Sequence, residues 1–191
     1  MDGNFSKDLI AKTALSLFSR KGYESVGVNE IAAVTGLTKP SLYHHFGSKD
    51  GLLAFIVETE GQKLIALTGN EAKYEHDLVK NLTALIRENI AFAYNNSDFF
   101  RLLLRLFASA PETPGFETGA ELRGKLIKIY THLFFLASKD HGNMKNREKI
   151  YAETFWGLIT TCATLAMNKT LKMDDNTLYR IVHQYMHGIF S

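Results

Sequence analysis

Cysteine is almost absent from this chain: Cys162 is the only one in 191 residues. That excludes a disulfide framework within the chain and fits a reducing compartment. Proline is nearly as scarce, three in all, so little interrupts the helical periodicities. No run is built to cross a bilayer. The longest uncharged apolar-rich stretch, Thr154 to Asn168, has 15 residues and includes Gly157 and several threonines, whereas a span needs about 20. The opening residues MDGNFSKDLIAK carry Asp2, Lys7 and Asp8 and offer no apolar h-region, so no signal peptide is expected. The charge excess is small as well, a formal +2, and by itself argues neither for nor against a nucleic-acid partner. A cytoplasmic protein with no membrane partner is the expectation.

What is present is apolar and periodic. Hydrophobic residues make up 46% of the chain, enough to bury a core and to exclude a disordered protein. The spacing predicts an all-α fold of about nine helices. Four short or medium helices come first, at about 7–21, 28–35, 39–46 and 49–67, punctuated by Gly22, Gly36 and Gly47. Longer, aromatic-rich helices follow at about 75–95, 97–110, 119–138, 145–169 and 175–190. PETPGFETG, residues 111–119, and KDHGNMKN, residues 139–146, read as loops. The expected division is a head at 1–50 and a larger helical domain at 51–191, joined by the fourth helix.

The segment GLTKPSLYHHFGSKDGLL, residues 36–53, carries the most information. Ala32, Gly36 and Leu42 have the spacing of a helix-turn-helix, which needs a small residue at the crossing, a glycine in the turn and an apolar residue on the inner face of the second helix. Thr38 is a good N-cap, and Pro40 falls in the first turn, where a missing N–H costs nothing. Leu42 and Phe46, four apart, anchor the helix. The other face holds Lys39, Ser41, Tyr43, His44 and His45 without one acid, which suits a polyanion.

This arrangement resembles the TetR family of bacterial transcriptional regulators. The residues that carry the resemblance are Gly22-Tyr23, Ile31-Ala32, Gly36-Leu37-Thr38-Lys39, Leu42-Tyr43-His44-His45-Phe46 and Ser48-Lys49-Asp50-Gly51-Leu52-Leu53, in order, over about residues 7–55. The resemblance implies base-edge contacts by Lys39, Pro40, Ser41 and His44, and phosphate contacts by Tyr43, His45 and Lys49. There is one departure. The family usually places Ser or Thr just before the second helix, as a cap that touches phosphate; Val26 and Gly27 stand there instead. The head is also only weakly basic, with Lys7, Lys12, Arg20, Lys21, Lys39 and Lys49 against Asp2, Asp8, Glu24, Glu30 and Asp50, so pairing of two heads is expected to matter for affinity.

For residues 51–191 the resemblance implies a small-molecule site and a homodimer formed by the last two long helices. Phe92, Phe99, Phe100, Leu103, Phe107, Tyr130, Phe134, Phe155 and Trp156 are candidate pocket walls. Few charges lie among them, so an apolar or aromatic effector is favoured. Phe155, Ile159, Leu178, Ile181, Val182, Tyr185, Met186 and Ile189 are the interface candidates.

Signals for an enzyme are weak. His183 and His187 are spaced i, i+4, but Gln184 stands where a metalloprotease helix has Glu, and no third ligand is evident. Cys162 lies in an apolar run without a basic neighbour. Glu58 and Glu60, two apart on a helix, diverge. No phosphate-cradling glycine loop appears. The expectation is a regulator without cofactor or metal, partnered by a double-stranded DNA operator and a small-molecule effector, and most simply a repressor. The same residues are compatible with an activator, and with an all-helical carrier or enzyme whose head is structural.

Overall fold

The structure is a computed structural model and describes residues 3–188. Among them are nine α-helices, one 3-10 turn and no strand. The helices are α1 (Gly3–Lys21), α2 (Val28–Thr35), α3 (Lys39–Phe46), α4 (Lys49–Glu71), α5 (Leu78–Asn95), α6 (Ser97–Phe107), α7 (Pro114–Ala137), α8 (Glu148–Met167) and α9 (Asp175–His187). No helix among the described residues is long and apolar enough to cross a membrane. The chain divides into two compact units. One comprises Met1–Lys63 with Asn96–Arg123, the other Leu64–Asn95 with Gly124–Ser191.

In the first unit, α1 buries Ile10, Ala14 and Phe18 completely. Its C-terminus is tied to α6. The Ser19 hydroxyl donates to Asp98 Oδ1 at 2.9 Å, and the Arg105 guanidinium donates to the carbonyls of Ser19 and Arg20 at 3.1 and 3.3 Å. Those carbonyls lie in the last turn of a helix, where a cation is favoured. Gly22 then turns the chain with φ +87°. The α6–α7 contact needs a glycine: a Cβ at Gly119 would stand 2.8 Å from Leu106 Cβ and 3.3 Å from its backbone carbon.

In the second unit, α5 packs on α8 and α9. Leu82, Leu85, Ile86, Ala93, Phe155, Ile159, Leu178 and Val182 are buried there. Polar ties fix the edges. Tyr94 donates to the Ala166 carbonyl at 2.6 Å, Tyr185 to the Tyr151 carbonyl at 2.7 Å, and Arg87 pairs with Asp175 at 2.6 Å. Asp174 caps α9 by accepting from the Thr177 amide at 3.0 Å, which holds its carboxyl below the usual range.

Several helix ends differ from the sequence expectation, each for a local reason. α7 begins at Pro114, inside the expected loop. Thr113 Oγ1 accepts from the Phe116 amide at 3.2 Å, and Pro114 fills the first helical position. α4 runs past Leu67 and through Gly69 to Glu71. Asn81, 8% exposed on α5, donates to the Glu71 and Lys73 carbonyls at 2.7 and 2.9 Å and so satisfies the end of α4. α5 begins at Leu78 rather than 75, because His76 takes a left-handed φ of +61° and Asp77 Oδ1 accepts from the Lys80 amide. α8 begins at Glu148 rather than 145, after a 3-10 turn at Gly142–Met144. α6 stops at Phe107 rather than 110, and α1 starts at Gly3 rather than 7.

Asn81→Ala strands two carbonyls at the end of α4. It is expected to lower the unfolding free energy by about 1–3 kcal/mol in a urea titration followed by far-UV circular dichroism.

Candidate nucleic-acid interface

An isolated eight-residue helix is unstable in water, so α3 depends on what surrounds it. Thr38 precedes it in extended conformation, and its Oγ1 accepts from the Ser41 amide at 3.4 Å. Pro40 is in the first turn, and Gly47 closes the helix at φ +73° while its amide donates to the Tyr43 carbonyl at 2.8 Å. Leu42 is 1% exposed, and full burial of such a side chain contributes roughly 1.5–3 kcal/mol. Phe46 packs on Phe55 of α4 at 5.3 Å between ring centroids, and the Lys7 amine stands 4.2 Å from the Phe55 ring centroid.

The turn before α3 is equally specified. Gly36 adopts φ +68°, the left-handed region that disfavours any side chain. Thr35 Oγ1 donates to the Ile31 carbonyl at 2.9 Å and accepts from the Leu37 amide at 3.3 Å, which bridges the turn. Ala32 is half-buried on α2, beside the fully buried Ile31.

The outer face of α3 presents Lys39, Pro40, Tyr43 and His44 to solvent, with Ser41 and His45 half-buried. Tyr43 is 47% exposed. The His44 and His45 rings stand edge to face at 5.3 Å. This is an exposed helical face of donors and planar groups, held by an anchored inner face.

Lys49 is half-buried. Its amine lies 3.3 Å from the Tyr23 carbonyl oxygen and 4.2 Å from the Tyr23 ring centroid. The Tyr23 hydroxyl donates to Asp50 Oδ1, and its ring meets Phe18 edge-on at 5.1 Å. Burial, first, and then Asp50 push the phenol well above its ordinary pKa. Tyr23 and Asp50 entered the sequence reading only as parts of the head motif, and Thr35 and Lys7 were given no structural role there. The signals were the aromatic residue after the Gly22 turn and the Ser48-Lys49-Asp50 start of the fourth helix.

Gly27 is the N-cap of α2 at φ −91°, without a side-chain bond to the helix. The nearby Glu30 pairs with Lys21 at 2.5 Å.

The remaining candidates lie elsewhere. Phe99, Phe100, Leu103 and Phe107 belong to the first compact unit, and Phe92, Tyr130, Phe134, Phe155 and Trp156 to the second. All but the half-buried Phe107 are buried. Of the interface candidates, Phe155, Ile159, Leu178 and Val182 are buried in the chain's own core, while Ile181, Tyr185 and Met186 are partly exposed. Ile189 lies outside the described residues. The His183 and His187 rings lie 4.6 Å apart between centroids, tilted by 46°. Among the described residues no group of three or more His, Cys, Asp or Glu side chains is placed to hold a metal. Burial pushes the Cys162 thiol up, which works against a nucleophilic role.

A fixed glycine turn, an anchored short second helix and an acid-free outer face define a helix-turn-helix DNA-binding protein of the transcriptional-regulator class. Residues 10–56 match the family of bacterial regulatory proteins, tetR family. The transcriptional activator FasR of Mycolicibacterium smegmatis is 23% identical over 179 residues, covering 93% of this chain and 80% of its own. The negative regulator of the biofilm operon icaADBC, IcaR of Staphylococcus epidermidis, is 26% identical over 159 residues, covering 78% of this chain and 82% of its own. Among solved structures, the regulator FadR of Bacillus subtilis in complex with stearoyl-CoA superposes with a TM-score of 0.76 at 16% identity, covering 95% of this chain and 98% of that one. These relatives are transcriptional regulators.

A Cβ at Gly27 would meet nothing within 4 Å. Gly27→Ser therefore supplies the missing hydroxyl cap without strain. It is expected to stabilise the fold by about a few tenths of a kcal/mol and to lower the dissociation constant for DNA. Thermal unfolding and fluorescence anisotropy with a labelled duplex read the two effects.

Proposed function

We propose that this chain is a homodimeric, effector-responsive DNA-binding regulator, most simply a repressor, that acts in the cytoplasm without catalysis or cofactor. The observation that carries the reading is the acid-free outer face of α3 on an anchored helix. Residues 1–50 serve as the DNA-binding part, with residues 51–191 for effector binding and dimerisation. Two copies of α3 enter successive major grooves of a roughly palindromic operator. Lys39 donates to guanine O6 or N7 and Pro40 meets a thymine methyl, with Ser41 and His44 at neighbouring base edges. Tyr43 and His45 hold phosphates. Lys49 does so by exchanging its contact with the Tyr23 carbonyl for a phosphate oxygen, beside the N-terminus of α4.

The pairing surface is the outer side of α8 and α9. Ile150 is 62% and Tyr179 58% exposed there, and Ile181, Tyr185 and Met186 extend the face. Phe155, Ile159, Leu178 and Val182 form the packed layer behind it. The effector is a small apolar or aromatic molecule held among the aromatic side chains, of which Phe92, Tyr130, Phe134, Phe155 and Trp156 share one unit. FadR was crystallised with stearoyl-CoA, which makes an acyl chain one form such a ligand takes. Effector and DNA oppose each other by the same coupling factor in both directions. The helix α4 contributes residues to both units and is the natural carrier of that coupling.

Selection from a random duplex pool, followed by anisotropy against salt, tests the reading. Sequence-selective binding that weakens steeply with salt is expected. Tyr43→Ala should weaken all duplexes about tenfold, while Lys39→Ala should relax preference at one position per half-site by about 1–3 kcal/mol. Binding without selectivity or without salt dependence overturns the DNA assignment. A monomer in sedimentation at micromolar concentration overturns the dimer.

A further inference from the structure

A groove of about 440 Å³ opens on the second unit, between the end of α4 and the second half of α7. Small-molecule sites run from about 300 to 1,000 Å³. Its apolar lining is Gly69, Ala72, Ile129 and Leu136, and its nitrogen-bearing lining is Lys73, Lys128 and His132. The last three are exposed, so they form the rim. The half-buried Tyr74 completes the wall on the α4 side. No carboxylate lines the groove. No ion pair among the described residues takes in Lys73 or Lys128. The acid that touches Tyr74 is engaged elsewhere: Asp140 accepts from the Tyr74 hydroxyl at 2.8 Å and stands 2.7 Å from His76 Nδ1. Gly69 lies inside α4, where glycine weakens a helix relative to alanine. A Cβ there would meet nothing within 4 Å. Packing therefore does not require this glycine, and its missing side chain leaves room in the groove.

We propose that this groove binds a small flat aromatic carboxylate. None of its lining residues belongs to the aromatic interior assigned to the effector above, and the site does not depend on the DNA-binding reading. Shape favours a flat body. Gly69 and Ala72 present next to no side chain, and Tyr74 and His132 bring a planar ring from each side of the groove. An aromatic body stacks against such walls. Charge favours an anion. Lys73 and Lys128 offer two ammonium groups from opposite sides, and His132 adds a ring N–H, so a carboxylate can accept from all three. The charge stays at the wet rim while the body covers the apolar lining, so neither the lysines nor the carboxylate lose their water entirely. A phosphate is less well served. The lining contains no arginine fork, and it is drawn from the C-terminal end of α4 and the second half of α7, not from a helix N-terminus.

The test is isothermal titration calorimetry of the full-length protein with 2-naphthoate and 2-naphthamide, which share a shape and differ in charge. Naphthoate should bind about tenfold more tightly at low salt, and the ratio should shrink as salt is added. Lys73→Gln and Lys128→Gln should each weaken naphthoate about threefold and leave naphthamide unchanged. Gly69→Leu puts a side chain into the groove and should abolish binding of both ligands. Its melting temperature should hold or rise, because leucine favours a helix more than glycine does. Octanoate, an anion with a flexible body, should bind more weakly than naphthoate. Equal affinity for acid and amide, binding of neither, lysine variants that act on both ligands alike, or full naphthoate binding by Gly69→Leu each overturns the proposal. A lower melting temperature for Gly69→Leu overturns the open space at Gly69 on which the groove depends. Octanoate binding as tight as that of naphthoate overturns the aromatic assignment.

Discussion

The head depends on one constraint: a two-turn helix must be rigid while one whole face of it stays free. Helices of this length do not persist alone, so rigidity has to come from the other face and from both ends. Leu42 supplies burial, Phe46 leans on Phe55, Gly36 sets the turn angle, and Thr38 and Gly47 satisfy the termini. Nothing on the outer face of α3 is needed for this. Lys39, Pro40, Tyr43 and His44 are therefore available for another surface. Tyr23 reinforces the arrangement from outside α3. Its ring meets Phe18, its hydroxyl holds Asp50, and its carbonyl and ring hold Lys49, so the start of α4 is fixed against the end of α1.

The second unit poses the opposite problem. Its interior is aromatic and well covered, yet it contains three polar atoms with no partner. Asn81 and Asn89 make an instructive pair on one helix. Asn81 spends its amide on two carbonyls at the end of α4 and closes a gap in the backbone pairing. Asn89 bonds one carbonyl of its own helix, that of Leu85, and its side-chain oxygen is buried without a partner. The first is structural capping.

Much of the head was legible because its signals are local. Small–glycine–leucine spacing, a threonine cap, a proline in the first turn and a run of donors each act within a few residues, and together they locate α2, the turn and α3 to the residue. Helix ends were less legible, and α7 shows why. PETPGFETG has the composition of a loop, but Thr113 and Pro114 are also a helix start, and contact with Leu106 at Gly119 favours the helix. The end of α4 was missed because its cap comes from Asn81, on the next helix.

The sequence by itself determined the helical class, the reading head and which side of α3 faces outward, because periodicity and capping are properties of neighbouring residues. Only the tertiary structure decided which aromatic residues share a compact unit. It also placed Phe155, Ile159, Leu178 and Val182 in the chain's own core rather than on its outer face. And it alone buried Thr68, Asn89 and Tyr130 completely. Burial and unpaired hydrogen-bonding capacity belong to three helices at once, and no stretch of sequence contains them.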